Sequence, residues 1–149
     1  MAPDQRAGKT AALWLTMAMS GCGDSMVGAY HFPLAGDGRV VDTNGVYTAV
    51  PLPPTVDVTI EKSADGYRLE LLGCSLAAVR TGGVANITPG QTCALTVAGA
   101  THRIVDVDGQ IAERSDLRVS VNLQAECVKN AVGTPTCLFR LIAPGPGTP

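Results

Sequence analysis

Residues 55–74, TVDVTIEKSADGYRLELLGC, carry a two-residue hydrophobic alternation that fits a half-buried β-strand and not a helix. The alternating apolar residues are Val56, Val58 and Ile60 before a Ser-Ala-Asp-Gly turn, and Tyr67, Leu69 and Leu71 after it. Pairing the two segments across that turn places Ile60 opposite Leu69 on one face. The same register places Glu61 opposite Arg68 on the other face. Apolar and charged pairs agree in one register, so the sequence predicts a β-hairpin here.

Further short segments have a similar strand-like character, and turn-forming residues separate them. They lie around residues 26–32, 84–87, 92–97, 102–107, 116–127 and 136–142. Hairpin turns are indicated at Asp37-Gly38, Asn44-Gly45 and Asp108-Gly109. After the first twenty or so residues, no segment shows a helical period over ten residues. The chain is therefore expected to be all-β, an antiparallel meander that forms a small sandwich or barrel.

The first residues have the layout of a secretory signal peptide. Arg6 and Lys9 precede an uncharged run, residues 11–19, that is too short to cross a bilayer as a helix. The alternative is a buried amphipathic helix at the start of a cytosolic domain. Such a helix would show an apolar stripe, whereas this run is apolar nearly all round. We expect residues 1–21 to be removed on export.

Met19-Ser20-Gly21-Cys22 resembles a bacterial lipobox, the motif that the lipoprotein signal peptidase cuts. Small residues occupy the two positions before the cysteine, and Met19 stands where leucine is usual. The resemblance implies that the Cys22 sulfur receives a diacylglyceryl group, that cleavage falls just before Cys22, and that the new amine is acylated. Two or more acyl chains hold a protein stably on a membrane. The alternative is ordinary secretion with Cys22 as a free thiol.

This interpretation predicts both a cellular location and a division of the chain into segments. We expect a lipid-anchored protein of the cell envelope on its periplasmic or cell-surface face, with the outer membrane favoured. Residues 1–21 would form the lipoprotein signal peptide, and residues 22–36 the lipidated N-terminus and a tether. Residues 37–143 would form the all-β domain, and residues 144–149 a disordered tail.

The chain has five cysteines, and lipidation of Cys22 would leave four to pair. Of the three connectivities open to four cysteines, we expect Cys74–Cys93 and Cys127–Cys137. The second pair has its own support, because pairing residues 117–127 with 137–142 brings apolar residues together on one face and makes those two cysteines meet. A four-cysteine zinc site is not expected, since no C-x₂₋₄-C spacing is present.

The body of the chain resembles small uncharacterised envelope lipoproteins of Gram-negative bacteria. The shared features are Gly73-Cys74-Ser75-Leu76, Pro89-Gly90-Gln91-Thr92-Cys93, and a C-terminal hairpin with Cys127 and Cys137. The resemblance spans residues 47–142. It implies a disulfide-containing β domain, and it implies no activity.

Catalytic motifs and cofactor motifs are not found in the sequence. His31 and His102 belong to different expected strands without a nucleophile motif, and Asp106-Val107-Asp108-Gly109 lacks the glycine and the glutamate spacing of a calcium loop. The chain has 11 basic and 13 acidic residues without a basic cluster, so nucleic acid is not an expected partner.

Three functions remain open at this stage. We expect a non-enzymatic module, without cofactor or metal, that contacts the membrane through the lipid on Cys22 and an unidentified envelope protein through its β domain. The first alternative is a lipocalin-like carrier of a small apolar ligand, which requires an enclosed cavity. The second is an inhibitor of a secreted hydrolase that uses residues 128–136, a loop closed by Cys127 and Cys137.

Replacing Cys22 by alanine should abolish membrane association, because the residue that accepts lipid is then missing. The precursor should also remain uncleaved or be cut elsewhere. Detergent-phase partitioning of the wild type and the Cys22→Ala variant measures this. Equal partitioning of the two proteins would contradict the lipoprotein interpretation.

Overall fold

A computed structural model of the protein describes residues 26–113 and 119–143. These residues form an all-β structure of eleven strands without a helix. The strands are β1 (Gly28–Pro33), β2 (Ala35–Val41), β3 (Tyr47–Val50), β4 (Thr55–Ser63), β5 (Gly66–Leu71), β6 (Cys74–Thr81), β7 (Val84–Ile87), β8 (Cys93–Val97), β9 (Ala100–Glu113), β10 (Val119–Cys127) and β11 (Cys137–Ala143).

All eleven strands belong to one antiparallel sheet that curves into a half-barrel. The strand order is β1-β4-β5-β6-β7-β9-β10-β11-β2-β3, and β8 pairs with the first part of β9 outside this path. The expected all-β class, the antiparallel arrangement and the two disulfides are thereby confirmed.

The strand order places β1 and β2 far apart, although a single residue, Leu34, separates them in sequence. β1 pairs with β4, and β2 pairs with β11. The backbone N–H of Leu34 donates a hydrogen bond of 2.9 Å to the Pro54 carbonyl, which holds the corner between the two strands. The chain therefore joins two distant parts of the sheet at Leu34.

The alternation of strand directions fixes which loops share an end of the sheet. In an antiparallel sheet, strands that are an even number of places apart run in the same direction. β1 is eight places from β2 in the strand order, and β10 is two places from β2, so these three strands run in the same direction. The turn after β2 and the loop after β10 therefore lie at one end. The chain enters the sheet at Gly28 and leaves it at Ala143, at the opposite end.

The concave side of the sheet is filled by apolar side chains. Every buried residue among those described is apolar, and they form one continuous cluster. Its largest fully buried members are Phe32, Phe139, Met26, Ile60, Leu69, Leu76, Leu95, Ile104, Ile111 and Leu123. Since the chain has few aromatic residues, the core depends on Val, Leu and Ile packed in alternating strand positions.

The hairpin expected at residues 55–74 is confirmed in its register. Ile60 lies opposite Leu69, and Glu61 lies opposite Arg68. The C-terminal hairpin is confirmed as well, because Ala125 lies opposite Phe139 and Leu123 lies opposite Leu141. Both hairpins place their apolar residues in the core.

Two of the three expected glycine turns are wrong. Asp108-Gly109 lies inside β9, and Asp37-Gly38 lies inside β2. Gly109 has a φ of 156° and sits opposite Leu123, where a side chain on Gly109 would meet the Asn122 carbonyl and the Leu123 side chain. A Cβ on Gly38 would lie 2.7 Å from the ring of its partner Phe139. These glycines make room for large neighbours instead of forming turns.

The sheet begins earlier than the expected domain. β1 confirms the strand expected around residues 26–32, but it falls within residues 22–36, which the division of the chain gave to the lipidated N-terminus and tether. Phe32 in β1 is fully buried. Met26 is also fully buried, and its carbonyl accepts a 3.0 Å hydrogen bond from the Tyr30 hydroxyl. The folded part therefore includes β1 and the first residues of β2. The expected signal peptide, Leu117 and the tail 144–149 lie outside the described residues.

Replacing Ile60 by alanine should lower the free energy of unfolding by about 2–4 kcal/mol, because it opens a cavity beneath a fully buried side chain. The matched control is Glu61→Ala on the exposed face of the same strand, which should change stability by less than about 1 kcal/mol. Urea denaturation of both variants provides the measurement. Equally small effects would contradict the packing of this hairpin.

Candidate functional site

Both expected disulfides are present, and each ties neighbouring parts of the sheet together. Cys74 and Cys93 have Cα atoms 5.1 Å apart and link the start of β6 to the start of β8. Cys127 and Cys137 have Cα atoms 4.9 Å apart and link the end of β10 to the start of β11. The expected lipid site, Cys22, lies outside the described residues.

The loop of residues 128–136, which the second disulfide closes, is held by its own hydrogen bonds. The Asn130 side-chain oxygen accepts hydrogen bonds from the Val132 and Thr134 N–H groups at 3.1 and 3.0 Å. The Asn130 N–H donates to the Thr134 carbonyl at 2.8 Å. At the base of the loop, the Thr136 N–H donates to the Val128 carbonyl at 2.9 Å. The loop therefore presents its tip in a defined conformation.

A second compact turn, residues 42–46, joins β2 to β3. The Asp42 carboxylate accepts hydrogen bonds from the Asn44 and Val46 N–H groups at 2.8 and 2.9 Å. Gly45 has a φ of 79°, a left-handed conformation that glycine adopts without strain. The Asn44-Gly45 turn expected from the sequence is thus confirmed.

The two loops lie side by side, because β2 pairs with β11. The Val41 N–H donates to the Thr136 carbonyl at 2.9 Å, which joins the end of β2 to the base of the second loop. Residues 43–45 and 130–132 line opposite sides of an open surface groove. Each loop thereby forms one wall of a shared surface at this end of the sheet.

Of the seven exposed large apolar residues among those described, three lie on these two loops and a fourth, Tyr47, begins β3 directly after the first loop. We call the four residues Val46, Tyr47, Val128 and Val132 the apolar end; their exposed fractions are 57%, 52%, 61% and 84%. Nothing in strand packing requires a valine to be 84% exposed at the tip of a loop, where polar residues are usual. Clustered exposed apolar residues mark protein contact sites more often than scattered ones do.

Polar and charged groups border the apolar end. The Arg39 guanidinium lies over the Tyr47 ring, 4.8 Å from its centre, and so fixes the ring of the most exposed aromatic residue. Asp42 and Lys129 are exposed on the two loops themselves. Protein–protein interfaces likewise combine exposed apolar side chains with polar and charged groups.

One pair of residues elsewhere has the geometry of a catalytic dyad. His31 Nδ1 and Asp57 Oδ1 are 2.7 Å apart across β1 and β4. Asp57 lines a groove that also contains the hydroxyls of Thr59 and Ser75. Ser75 stands on β6, three strands from His31. At about 4.8 Å per strand, it is too distant to donate a proton to His31. The carboxylate and imidazole are also largely exposed, with 89% and 54% of their side-chain surface accessible.

Sequence reasoning predicted the loop of residues 128–136 and the Asn44-Gly45 turn separately, but it missed that the two lie side by side. Nothing local links residues 42–46 to that loop, because the link depends on pairing between β2 and β11. The His31–Asp57 pair was missed for the same reason, since it depends on pairing between β1 and β4. The one usable local signal was that Val46, Val128 and Val132 stand close to turn-forming residues.

Comparison with known proteins gives no match. No protein-family model, no curated protein and no solved structure matches the chain. The structure itself defines a disulfide-containing all-β protein.

Within residues 26–113 and 119–143, no helix is long and apolar enough to cross a membrane.

Removing the Cys127–Cys137 disulfide should loosen the loop that it closes. The double variant Cys127→Ser/Cys137→Ser should lose about 2–3 kcal/mol of unfolding free energy, because the disulfide restricts the unfolded chain. The loss is at the lower end for a disulfide because the loop that it closes is short. Trypsin should then cleave faster after Lys129, which is exposed in that loop.

Cleavage after Arg103, inside β9, is the internal reference for general unfolding. The control variant, Cys74→Ser/Cys93→Ser, should leave the ratio of Lys129 to Arg103 cleavage unchanged. An unchanged ratio in the Cys127→Ser/Cys137→Ser variant would show that the hydrogen bonds of the loop suffice to hold it.

Proposed function

We propose that this protein is a lipid-anchored protein of the bacterial cell envelope whose β domain binds another envelope protein through the apolar end. The observation that carries this proposal is the exposure of Val46, Val128 and Val132 on two loops of defined conformation, with the exposed Tyr47 beside the first of them. The domain acts by contact and not by catalysis.

The proposed lipid on Cys22 would hold the domain by the end opposite to the apolar end. The chain enters the sheet at Gly28, at the end opposite to the turn after β2 and the loop after β10. An anchor attached a few residues before Gly28 leaves the apolar end facing away from the membrane. The contact surface is then accessible to a partner in the surrounding compartment.

The two loops lower the entropic cost of binding. Their conformations are held by hydrogen bonds to Asp42 and Asn130 and by the Cys127–Cys137 disulfide. A loop that is already ordered loses little conformational freedom when a partner binds. The Tyr47 ring, fixed under Arg39, adds a large rigid contact surface of the kind that dominates binding energy.

The edge of the sheet beside the apolar end offers a second mode of contact. β3 is the last strand of the order and pairs only with β2 among the described strands. Its four residues, Tyr-Thr-Ala-Val, include no charge or proline that would discourage strand addition. We propose a partner that adds an extended, uncharged segment to β3 and places apolar side chains against Val46 and Val132.

The packed interior supports this proposal over the carrier function. Phe32 and Phe139 are fully buried and fill the space that a small apolar ligand would need. The hydrolase inhibitor remains a second candidate function, because the loop of residues 128–136 is closed by a disulfide and carries Val132 at its tip. An inhibitor needs such a loop to enter an active-site cleft.

A photo-crosslinking amino acid placed at residue 132 tests the proposal in cells that express the full chain. The matched control places it at residue 79, which carries a valine 49% exposed on β6, away from the two loops. Residue 132 should give a specific crosslinked product that residue 79 does not give. Val132→Asp should reduce crosslinking from residue 46, because a charge at the centre of an apolar contact is costly to desolvate.

The identity of the product separates the two functions. An envelope protein without hydrolase activity supports the proposed module, and a secreted hydrolase whose activity falls on binding supports the inhibitor. Equal crosslinking from residues 132 and 79, or none from residue 132, would contradict a contact site at the apolar end.

A further inference from the structure

A histidine lies against the Cys127–Cys137 disulfide. A ring nitrogen of His102 and the two cysteine sulfurs all lie within 4.8 Å of one another. The three residues come from β9, β10 and β11, which are consecutive in the sheet. Among the described residues this is the one group of three or more histidine, cysteine and acidic side chains close enough to share a metal ion, and Cys74–Cys93 belongs to no such group.

The backbone and the core hold His102 in this position. A β-bulge between Glu126 and Cys127 shifts the register so that Cys127 lies opposite Ile104, two residues after His102. The imidazole ring rests against the fully buried Phe139 ring, with centroids 4.9 Å apart and planes at 56°. The histidine is therefore placed by packing and not by a surface interaction.

His102 also has an unused polar atom. Its Nε2 is buried and has no hydrogen-bond partner among the described residues. Buried polar atoms without a partner are rare in folded proteins, because no hydrogen bond compensates for the free energy lost when water is removed from them. An imidazole that has an unpartnered buried nitrogen and lies beside two sulfur atoms is an available metal ligand.

We propose that reduction of the Cys127–Cys137 disulfide converts this group into a binding site for one thiophilic metal ion, with His102 and the two thiolates as ligands. One imidazole and two thiolates form a ligand set that suits Zn²⁺ and Cu⁺. Three protein ligands leave the fourth position of a tetrahedral zinc ion open to water or to another molecule. This set differs from the four-cysteine site that the sequence spacing excluded.

The reductant is a dithiol, the class of reagent that acts by thiol–disulfide exchange. Cys127 is 8% exposed and Cys137 is 1% exposed, so the first thiolate attacks the Cys127 sulfur and the Cys137 sulfur leaves with the electron pair. The second thiol of the reductant then displaces Cys127. The reductant ends as a disulfide, and the protein holds two thiols.

Zinc binds after the disulfide has been reduced. Zn²⁺ replaces the two thiol protons, which pass to water, and neutral His102 donates the lone pair of its ring nitrogen. The bound ion links β9, β10 and β11, whereas the disulfide links β10 and β11 alone. The base of the loop of residues 128–136 therefore stays closed in both states.

The test uses the full chain carrying Cys22→Ser, reduced with a water-soluble phosphine, and Zn²⁺ as the probe. The phosphine takes up the oxygen of water as it becomes the phosphine oxide, and the disulfide gains the two hydrogens. Competition with a chromophoric chelator measures the stoichiometry and the affinity. Cobalt(II), substituted for zinc, reports thiolate and imidazole ligation through its visible spectrum.

The reduced chain should bind about one zinc ion that the oxidised chain does not bind. Cys127→Ser/Cys137→Ser should lose this site, and Cys74→Ser/Cys93→Ser should keep it. His102→Gln should weaken binding by more than the roughly 10–100-fold that the loss of an outer partner causes. The matched control His31→Gln, at the exposed pair on β1, should leave the affinity unchanged.

Three results would overturn the proposal: no zinc binding by the reduced chain, equal affinity of the His102→Gln and His31→Gln variants, or a site that requires Cys74 and Cys93. Circular dichroism covers the case in which the reduced chain unfolds. Zinc should then restore the strand signal in the chain with His102, and restoration in His102→Gln to the same degree would also overturn the proposal.

Discussion

The corner at Leu34 is the constraint on which the rest of the fold depends. Through it, one stretch of chain pairs with β4 on one side and with β11 on the other. An open sheet would leave its apolar face in water, because the described residues form no helix and no second sheet to cover it. Drawing β2 against β11 curves the sheet around its own side chains, and Phe32 and Phe139 become fully buried.

Much of the local structure could be predicted from the sequence, because local pairing depends on neighbouring residues. The hairpins β4–β5 and β10–β11 each combine a short connection with a matching pattern of apolar residues. The pairings of β1 with β4 and of β2 with β11 have no short connection between the two strands. No pattern within one strand identifies a partner that is distant in the sequence. The apolar end depends on the pairing of β2 with β11, so its two loops were predicted separately and their proximity was not.

The two incorrect turns have a common physical cause. Asp-Gly is typical of hairpin turns, yet Gly38 and Gly109 each lie within a strand opposite a large side chain. The sequence shows the glycine but not the Phe139 or Leu123 that requires its missing side chain. The same lack of cross-strand information hid His102, whose proximity to Cys127 depends on a bulge between β9 and β10.

The pairing of β2 with β11 also sets the order in which the molecule can be completed. Ala35 lies opposite Ile142, so these partners are 142 − 35 = 107 positions apart in the sequence. A protein that crosses a membrane N-terminus first must keep one edge of β2 unsatisfied until β11 has followed it, because this contact is among the most distant in the sequence. The sheet is therefore complete only when the last strand is available, and any chain shortened before Cys137 would expose the core that β11 covers.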